Sequence, residues 1–268
     1  MEGKLRVAAV QMVSEPDVAA NLAVAGDLIA RAAAEGARLV ALPEYFCILG
    51  MREGDKVAVR EADGSGPIQD FLKEAAAKHK IWLVGGSLPL VCADPGKVRN
   101  SCLVFDDAGR RVARYDKIHL FGFELGQERI QESRTLEAGS EVVTVNAPFA
   151  KLGISICYDV RFPELYRKMG VVDIILVPSS FTATTGSAHW ELLLRARAVE
   201  NQAYVLAPAQ GGHHKNNRNT HGHSMIVDPW GKILAELDSG PGVITAEIDA
   251  ARLAQVRQSL PALTHRVM

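Results

Sequence analysis

Apolar residues along this chain fall alternately into short continuous runs and into stripes of helical spacing, and the two rhythms divide it into a series of strands and helices. Residues 6–12 (RVAAVQM) read as a strand, and 17–34 carry a helical stripe through Leu22, Ala25, Leu28, Ile29 and Ala32 that ends at Gly36. A second buried strand, 38–42, stops at Pro43 and leaves Glu44 at its carboxyl end. Segment 50–66 is rich in glycine and charge and reads as a surface loop; Pro67 then opens a helix to residue 80, and a strand is predicted over 81–90. Gly85 and Gly86 within that strand mark a bulge or a close backbone approach. Residues 101–105 and 111–115 form a hairpin about the turn 106–110, and 121–139, weakly periodic, reads as a long loop.

The second half repeats the scheme. Leu152, Ile154 and Ile156 alternate with Gly153 and Ser155 as in a buried strand; the chain turns at Cys157-Tyr158-Asp159, and Pro163 opens a short helix stopped by Gly170. Residues 171–177 (VVDIILV) are a continuous apolar strand, 181–187 a turn, and 188–202 an amphipathic helix with Trp190, Leu193, Leu194 and Ala198 on one side. Arg195, Arg197 and Glu200 are placed to pair on its surface or at an interface. A strand over 203–209, the polar loop 211–223, a hairpin of 224–228 and 233–237, a strand over 243–248 and a closing helix over 250–260 complete the series. The pattern predicts an α/β fold of two sheets packed face to face with helices outside, in one domain over residues 1–268. The tail beyond the last helix lacks a core of its own and is expected to pack on a partner subunit.

Composition narrows the function classes. Thirty basic and 31 acidic residues nearly cancel, so no global field points to nucleic acid or to an anionic membrane. The four cysteines, Cys47, Cys92, Cys102 and Cys157, show no metal spacing, and the N-terminus does not read as a signal peptide. A reduced, cytoplasmic setting is the expectation. No apolar run is long enough to span a bilayer: 5–12 is interrupted by Arg6 and Gln11, and 81–90 by Gly85, Gly86 and Pro89. No phosphate-binding glycine pattern surrounds Gly85 and Gly86.

Three strand ends supply chemically distinct groups. Cys157 sits at a strand-to-helix corner, where a thiol is lifted toward backbone N–H groups that favour a thiolate and an oxyanion; a buried core cysteine is the alternative. Glu44 ends a strand where open α/β sheets bind ligands, or is an exposed loop acid. Lys117, in Tyr115-Asp116-Lys117-Ile118-His119-Leu120, is either a solvated lysine or a cation turned inward beside a carboxylate and a thiol. A carboxylate, an ammonium and a thiol together can cleave a carbon–nitrogen bond: Glu44 as base, Cys157 as nucleophile, and Lys117 with the Tyr158 N–H as oxyanion donors. A Cys–His pair using His119 or His189 competes. Gly153-x-Ser155-x-Cys157 approaches a serine elbow, but its last glycine is replaced and Ser155 lies within the strand. The loop at 211–223 holds His213, His214, His221 and His223 with Lys215 and Arg218; without a Cys or acidic partner at ligand spacing, contact with an anionic substrate is preferred to a metal.

These residues carry a resemblance. Leu42-Pro43-Glu44, the segment Tyr115 to Leu120 and Gly153-Ile154-Ser155-Ile156-Cys157-Tyr158-Asp159 match the Glu-Lys-Cys motifs of the carbon-nitrogen hydrolase (nitrilase) superfamily, in family order and across essentially the whole chain. The resemblance implies an αββα sandwich, no cofactor, and homodimers or larger assemblies through the helix after the nucleophile. Tyr158-Asp159 after the cysteine is similar to amidase-type members. Arg161-Phe162-Pro163-Glu164, His189-Trp190-Glu191, the run from Arg195 to Gln202 and Asp228-Pro229-Trp230-Gly231 resemble the Nit branch, which holds deaminated glutathione amidase and omega-amidase; Ala207-Pro208-Ala209-Gln210 before the histidine-rich loop is similar to the former. Within that branch Glu132 in Gln131-Glu132-Ser133 matches the auxiliary glutamate, with Glu124 as second choice, because Phe121 to Gly126 departs from the usual loop. A small carboxylate substrate would engage Lys215, Arg218 and His213.

Overall fold

The computed structural model, which describes residues 1, 3–126 and 128–267, gathers the apolar runs into two main sheets. In chain order the first half contains β1 (Lys4–Gln11), α1 (Val18–Ala34), β2 (Leu39–Ala41), the short α2 (Asp55–Ala58), α3 (Pro67–His79), β3 (Trp82–Val84), β4 (Leu88–Val91), β5 (Val98–Phe105) and β6 (Arg111–Asp116). A small ribbon of β7 (Gly122–Leu125) and β8 (Glu128–Gln131) follows, then β9 (Thr144–Asn146), β10 (Lys151–Ile154), α4 (Pro163–Lys168), β11 (Ile174–Leu176), α5 (Ala183–Asn201) and β12 (Tyr204–Ala207). The ribbon β13 (Gly211–His213) and β14 (Asn219–His221) precedes β15 (Ser224–Val227), β16 (Ile233–Leu237), β17 (Gly242–Asp249) and α6 (Ala250–Ser259).

The first sheet runs β17-β1-β2-β3-β5-β4 with β6 on β5, and the second β16-β15-β12-β11-β10-β9. At each centre the strands are parallel: Val7 pairs with Leu39 and Leu39 with Trp82, while Leu152 pairs with Ile174 and Ile174 with Tyr204. Alternation then sorts the side chains. Leu5, Val7, Ala9, Ala41 and Val84 share one core with Leu152, Ile154 and Leu176 of the other sheet, whereas Ala8, Val10, Val40 and Leu83 pack on Ile29 of α1 and Leu72 of α3. Trp190, Leu194 and Ala198 of α5 close the opposite side, giving the αββα sandwich.

Several boundaries differ from the sequence reading. The strand over 81–90 is two strands, because Gly85-Gly86-Ser87 bends the chain past the end of β2. The loop at 121–139 contains the β7–β8 ribbon and a turn of 3₁₀ helix at Glu132–Arg134, and the loop at 211–223 contains the β13–β14 ribbon. Helix α5 starts five residues before the predicted 188, capped by the Thr182 side chain, which accepts from Thr185 N–H; the Thr, Ala and Gly residues there carry no apolar stripe to reveal it. Arg197, expected to pair on the helix surface or at an interface, does pair with Glu200, at 2.6 Å, but is buried within the chain, where it also donates to Val160 O.

Gly86 has φ +56°, and a Cβ there would lie 2.1 Å from Pro43 O, the residue before Glu44. Gly86→Ala therefore pushes directly on the strand end that delivers Glu44. Its unfolding free energy in urea is expected to fall by more than about 2 kcal/mol, well beyond the ordinary penalty of a side chain at positive φ.

Candidate active site

Strand β2 ends at Ala41, strand β6 at Asp116 and strand β10 at Ile154, and residues just beyond them meet. Glu44 and Lys117 are each only 1% exposed, and Lys117 Nζ lies 2.8 Å from Glu44 Oε1. The same ammonium donates to both oxygens of Glu132, at 3.0 and 2.9 Å. Each carboxylate is held from a second side: Asn100 Nδ2 donates to Glu44 Oε1 at 2.9 Å, while the Tyr45 hydroxyl and the Phe121 N–H donate to Glu132 at 3.1 and 2.7 Å. Gln210 Nε2 donates to the Glu44 carbonyl at 3.0 Å, which fixes the backbone beneath it.

Two buried carboxylates and one ammonium leave an excess negative charge. Burial opposes the charge on Lys117, but Glu132 and Glu44 outweigh it and hold the ammonium well above the usual lysine range. Burial and Glu132 raise Glu44 against the pull of Lys117. Burial also opposes the Glu132 charge, but Lys117, Lys56 and the Phe121 N–H prevail and keep that carboxyl below its ordinary value. The proton accepted most readily by the cluster therefore goes to Glu44.

Cys157 begins a short 3₁₀ turn (Cys157–Arg161) at φ +49°, a left-handed conformation that a non-glycine residue adopts only where its surroundings impose it. Its N–H is bound to Pro178 O at 2.9 Å, and its thiol faces Glu44, Lys117 and the Ser180 N–H. Burial and the Glu44 carboxylate push the thiol well above its ordinary value, outweighing Lys117 and the Ser180 N–H. The sequence reading placed the thiol at a corner that favours a thiolate and gave it Glu44 as base; burial and the neighbouring carboxylate keep it a neutral thiol beside that raised base. Cys157, Glu44 and Glu132 line a cavity of about 420 Å³ bounded farther out by Tyr45, Arg129 and Arg218.

Other candidates scatter. Arg218 lines the cavity and pairs with Glu53 at 2.8 Å, but Lys215 pairs with Glu15 at 2.5 Å and His213 bonds Asn219 at 2.8 Å, both outside the lining. Glu124 is exposed on the β7–β8 ribbon beside Arg129. His119 Nδ1 is bound to Asp159 at 2.7 Å with its ring stacked 3.7 Å from Phe162, and His189 meets Arg161 at 3.2 Å; neither lines the cavity. His214 is buried between Ser14 O and Thr220, while His223 lies between Glu236 and Asp238. Among the described residues, no three His, Cys, Asp or Glu side chains are placed to hold a metal ion.

Residues 6–258 match the carbon-nitrogen hydrolase family. The chain belongs to that family. This carbon-nitrogen hydrolase is 45% identical over 266 residues to a deaminated glutathione amidase of Synechocystis, covering 97% of each chain. It is 40% identical to the omega-amidase NIT2 of Xenopus tropicalis, over 96% of this chain and 93% of that one. Nit3 of Saccharomyces cerevisiae, a solved structure of the nitrilase superfamily, superposes with a TM-score of 0.88 at 35% identity, covering 100% of this chain and 98% of its own. No helix among the described residues is long and apolar enough to cross a membrane.

Beside this candidate site of the carbon-nitrogen hydrolase lie residues to which pattern reasoning gave no role. Arg161, stacked 5.3 Å from the Phe181 ring, lines a side cleft with Cys157 and Tyr158. Asp159, fully buried, accepts from the Tyr115 hydroxyl (2.6 Å), His119 N–H (3.0 Å) and Nδ1 (2.7 Å), and Ile156 N–H (2.9 Å). These donors flank Lys117 on one side and precede Cys157 on the other, so one carboxylate ties the two strand exits together. Only its place in the capping turn hinted at this role. Asp159→Ala strands buried donors and is expected to cost at least about 3 kcal/mol in denaturant unfolding, with Asp159→Asn intermediate. A change below 1 kcal/mol would contradict the tie.

Proposed function

We propose that this carbon-nitrogen hydrolase is a single-domain, cysteine-dependent amidase that cleaves deaminated glutathione into 2-oxoglutarate and Cys-Gly through a thioester. The observation that carries the reading is the thiol of Cys157 sharing one cavity with a proton-accepting Glu44, whose carboxylate is bound at 2.8 Å by the charged Lys117 just behind the cavity wall. The 45% identity to the Synechocystis enzyme, from one end of the chain to the other, supports the substrate.

The mechanism follows from the charges. An amide carbonyl reaching Cys157 meets a thiol whose proton passes to Glu44 as the sulfur attacks, so negative charge moves onto the carbonyl oxygen. The Lys117 ammonium and the Tyr158 N–H receive that oxyanion; one such donor is typically worth two to three orders of magnitude in rate. Glu44 then delivers its proton to the leaving amine, which breaks the carbon–nitrogen bond and leaves a thioester. Water, deprotonated by Glu44, releases the acid. Glu132 keeps Lys117 charged and in place through the whole cycle. The acyl carboxylate is met by a cation beside the thiol, and Arg161 in the side cleft is suited to it.

Omega-amidase action on 2-oxoglutaramate is the second reading, favoured by the 40% identity to NIT2. Both substrates give the same thioester and differ only in the amine released. Self-assembly runs through α5, where Leu192 and Val199 remain exposed. The cysteine usage fits a reduced, cytoplasmic compartment.

The substrate is tested by 2-oxoglutarate release from deaminated glutathione and from 2-oxoglutaramate. The peptide is expected to be strongly preferred and Cys157→Ala to be inactive yet folded; an active Cys157→Ala enzyme overturns the nucleophile. The base is tested by pH. Glu44 acts as carboxylate and its pKa is raised, so kcat/KM rises with pH along a limb above the ordinary glutamate range. Glu132→Gln removes a negative neighbour and is expected to move that limb to lower pH; a limb that stays in place contradicts the coupling.

A further inference from the structure

The catalytic cavity does not end at its mouth. A second cavity of about 140 Å³ adjoins it, walled by Ile48, Leu49 and Arg52 from one loop and Asn216 from another, and Tyr45, Glu53, Lys56 and Arg218 line both. The wall they share is a charge cluster. Glu53 binds Lys56 Nζ at 3.2 Å through one oxygen and Arg218 Nη2 at 2.8 Å through the other. Lys56, whose side chain is 11% exposed, also lies 5.0 Å over the Tyr45 ring, and the Tyr45 hydroxyl reaches Glu132. Asn216 Nδ2 donates to Gly50 O at 2.7 Å and ties the two loops together.

The polarity of this junction is the reverse of the catalytic end. Around Lys117 two carboxylates face one ammonium; around Glu53 two cations face one carboxylate, and that carboxylate, 44% exposed, can be displaced into solvent. An elongated ligand with its scissile amide at Cys157 would meet net negative charge at the amide and net positive charge one cavity farther out.

We propose that the Lys56–Glu53–Arg218 junction and the second cavity form the leaving-group subsite, selecting amines that carry a free carboxylate, such as the C-terminus of a short peptide. The proposal rests on the amidase reading and deepens it. The acyl parts of the two candidate substrates are identical, so selection between them falls to the residues that meet the amine. Ammonia leaves this subsite unused, whereas Cys-Gly places its glycine carboxylate against Lys56 and Arg218. Glu53 occupies both cations until that carboxylate arrives and competes with it. The requirement has a sign: removing either cation weakens binding, and neutralising Glu53 strengthens it.

The test compares deaminated glutathione with the same peptide bearing a C-terminal carboxamide, in wild type, Lys56→Gln, Arg218→Gln and Glu53→Gln. Because the acid-to-amide ratio of kcat/KM is taken within each protein, any loss of folded enzyme cancels. Wild type is expected to prefer the acid by about ten-fold or more, as for loss of a charged hydrogen bond. Lys56→Gln and Arg218→Gln are expected to bring the ratio close to one, and Glu53→Gln to lower KM for the acid. Equal use of both peptides by wild type, or a ratio retained in the cation variants, overturns the subsite while the amidase assignment stands. If 2-oxoglutaramate is hydrolysed and neither peptide is, the peptide substrate is wrong and the subsite falls with it.

Discussion

A lysine ammonium with almost no access to water survives in this fold because two carboxylates flank it. Removing one partner of such a buried pair typically costs about 3–5 kcal/mol, so Lys117, Glu44 and Glu132 stand or fall together. The group carries one more negative than positive charge, and from this the reactive properties follow. Glu44 is the carboxyl raised toward holding a proton, Lys117 is held as an ammonium, and Cys157 is kept a neutral thiol. A neutral resting thiol resists adventitious oxidation, since the thiolate is the reactive form.

The two sheets supply the rigidity that this arrangement needs. Glu44 and Cys157 lie just past the buried strands β2 and β10, and Lys117 just past β6, which is held on the buried β5; the backbone around Glu44 and Cys157 is bent into conformations that a free chain avoids. Tyr45 and Cys157 both have positive φ, beside Glu44 and at the nucleophile itself. Asp159 collects donors from both exits, and Gly86 lets the β3–β4 bend press against Pro43. Geometry at the thiol is thus set by backbone packing, and the proposed leaving-group subsite of Glu53, Lys56 and Arg218 sits on the outer loops.

Much of this was legible in the chain. Glu44 and Cys157 follow apolar runs closed by Pro43 and by a turn, a pattern that places polar groups at sheet edges, and the motif around Lys117 completed the set. Glu132 could be chosen over Glu124 only through the family motif, because both sit in a stretch of weak periodicity. Asp159 and Glu53 stayed hidden for a different reason: each has a partner across the fold, and nothing in local spacing reports a contact between residues 53 and 218 or 159 and 115. Lys215 and His213 looked equivalent to Arg218 in the polar loop, yet the β13–β14 ribbon brings only Arg218 to the cavity. Strands of three or four residues, such as β7 and β8, are too short for period-2 alternation to stand out.

Burial and the Glu44 carboxylate hold Cys157 as a neutral thiol in the resting protein. The direct measurement is the pH dependence of Cys157 alkylation by iodoacetamide in the free protein, followed by mass spectrometry of the peptide that contains it. An inflection above that of an ordinary thiol is expected, moving down in Glu44→Gln as a negative neighbour is lost. An inflection below neutral pH, the mark of a preformed thiolate, would contradict it.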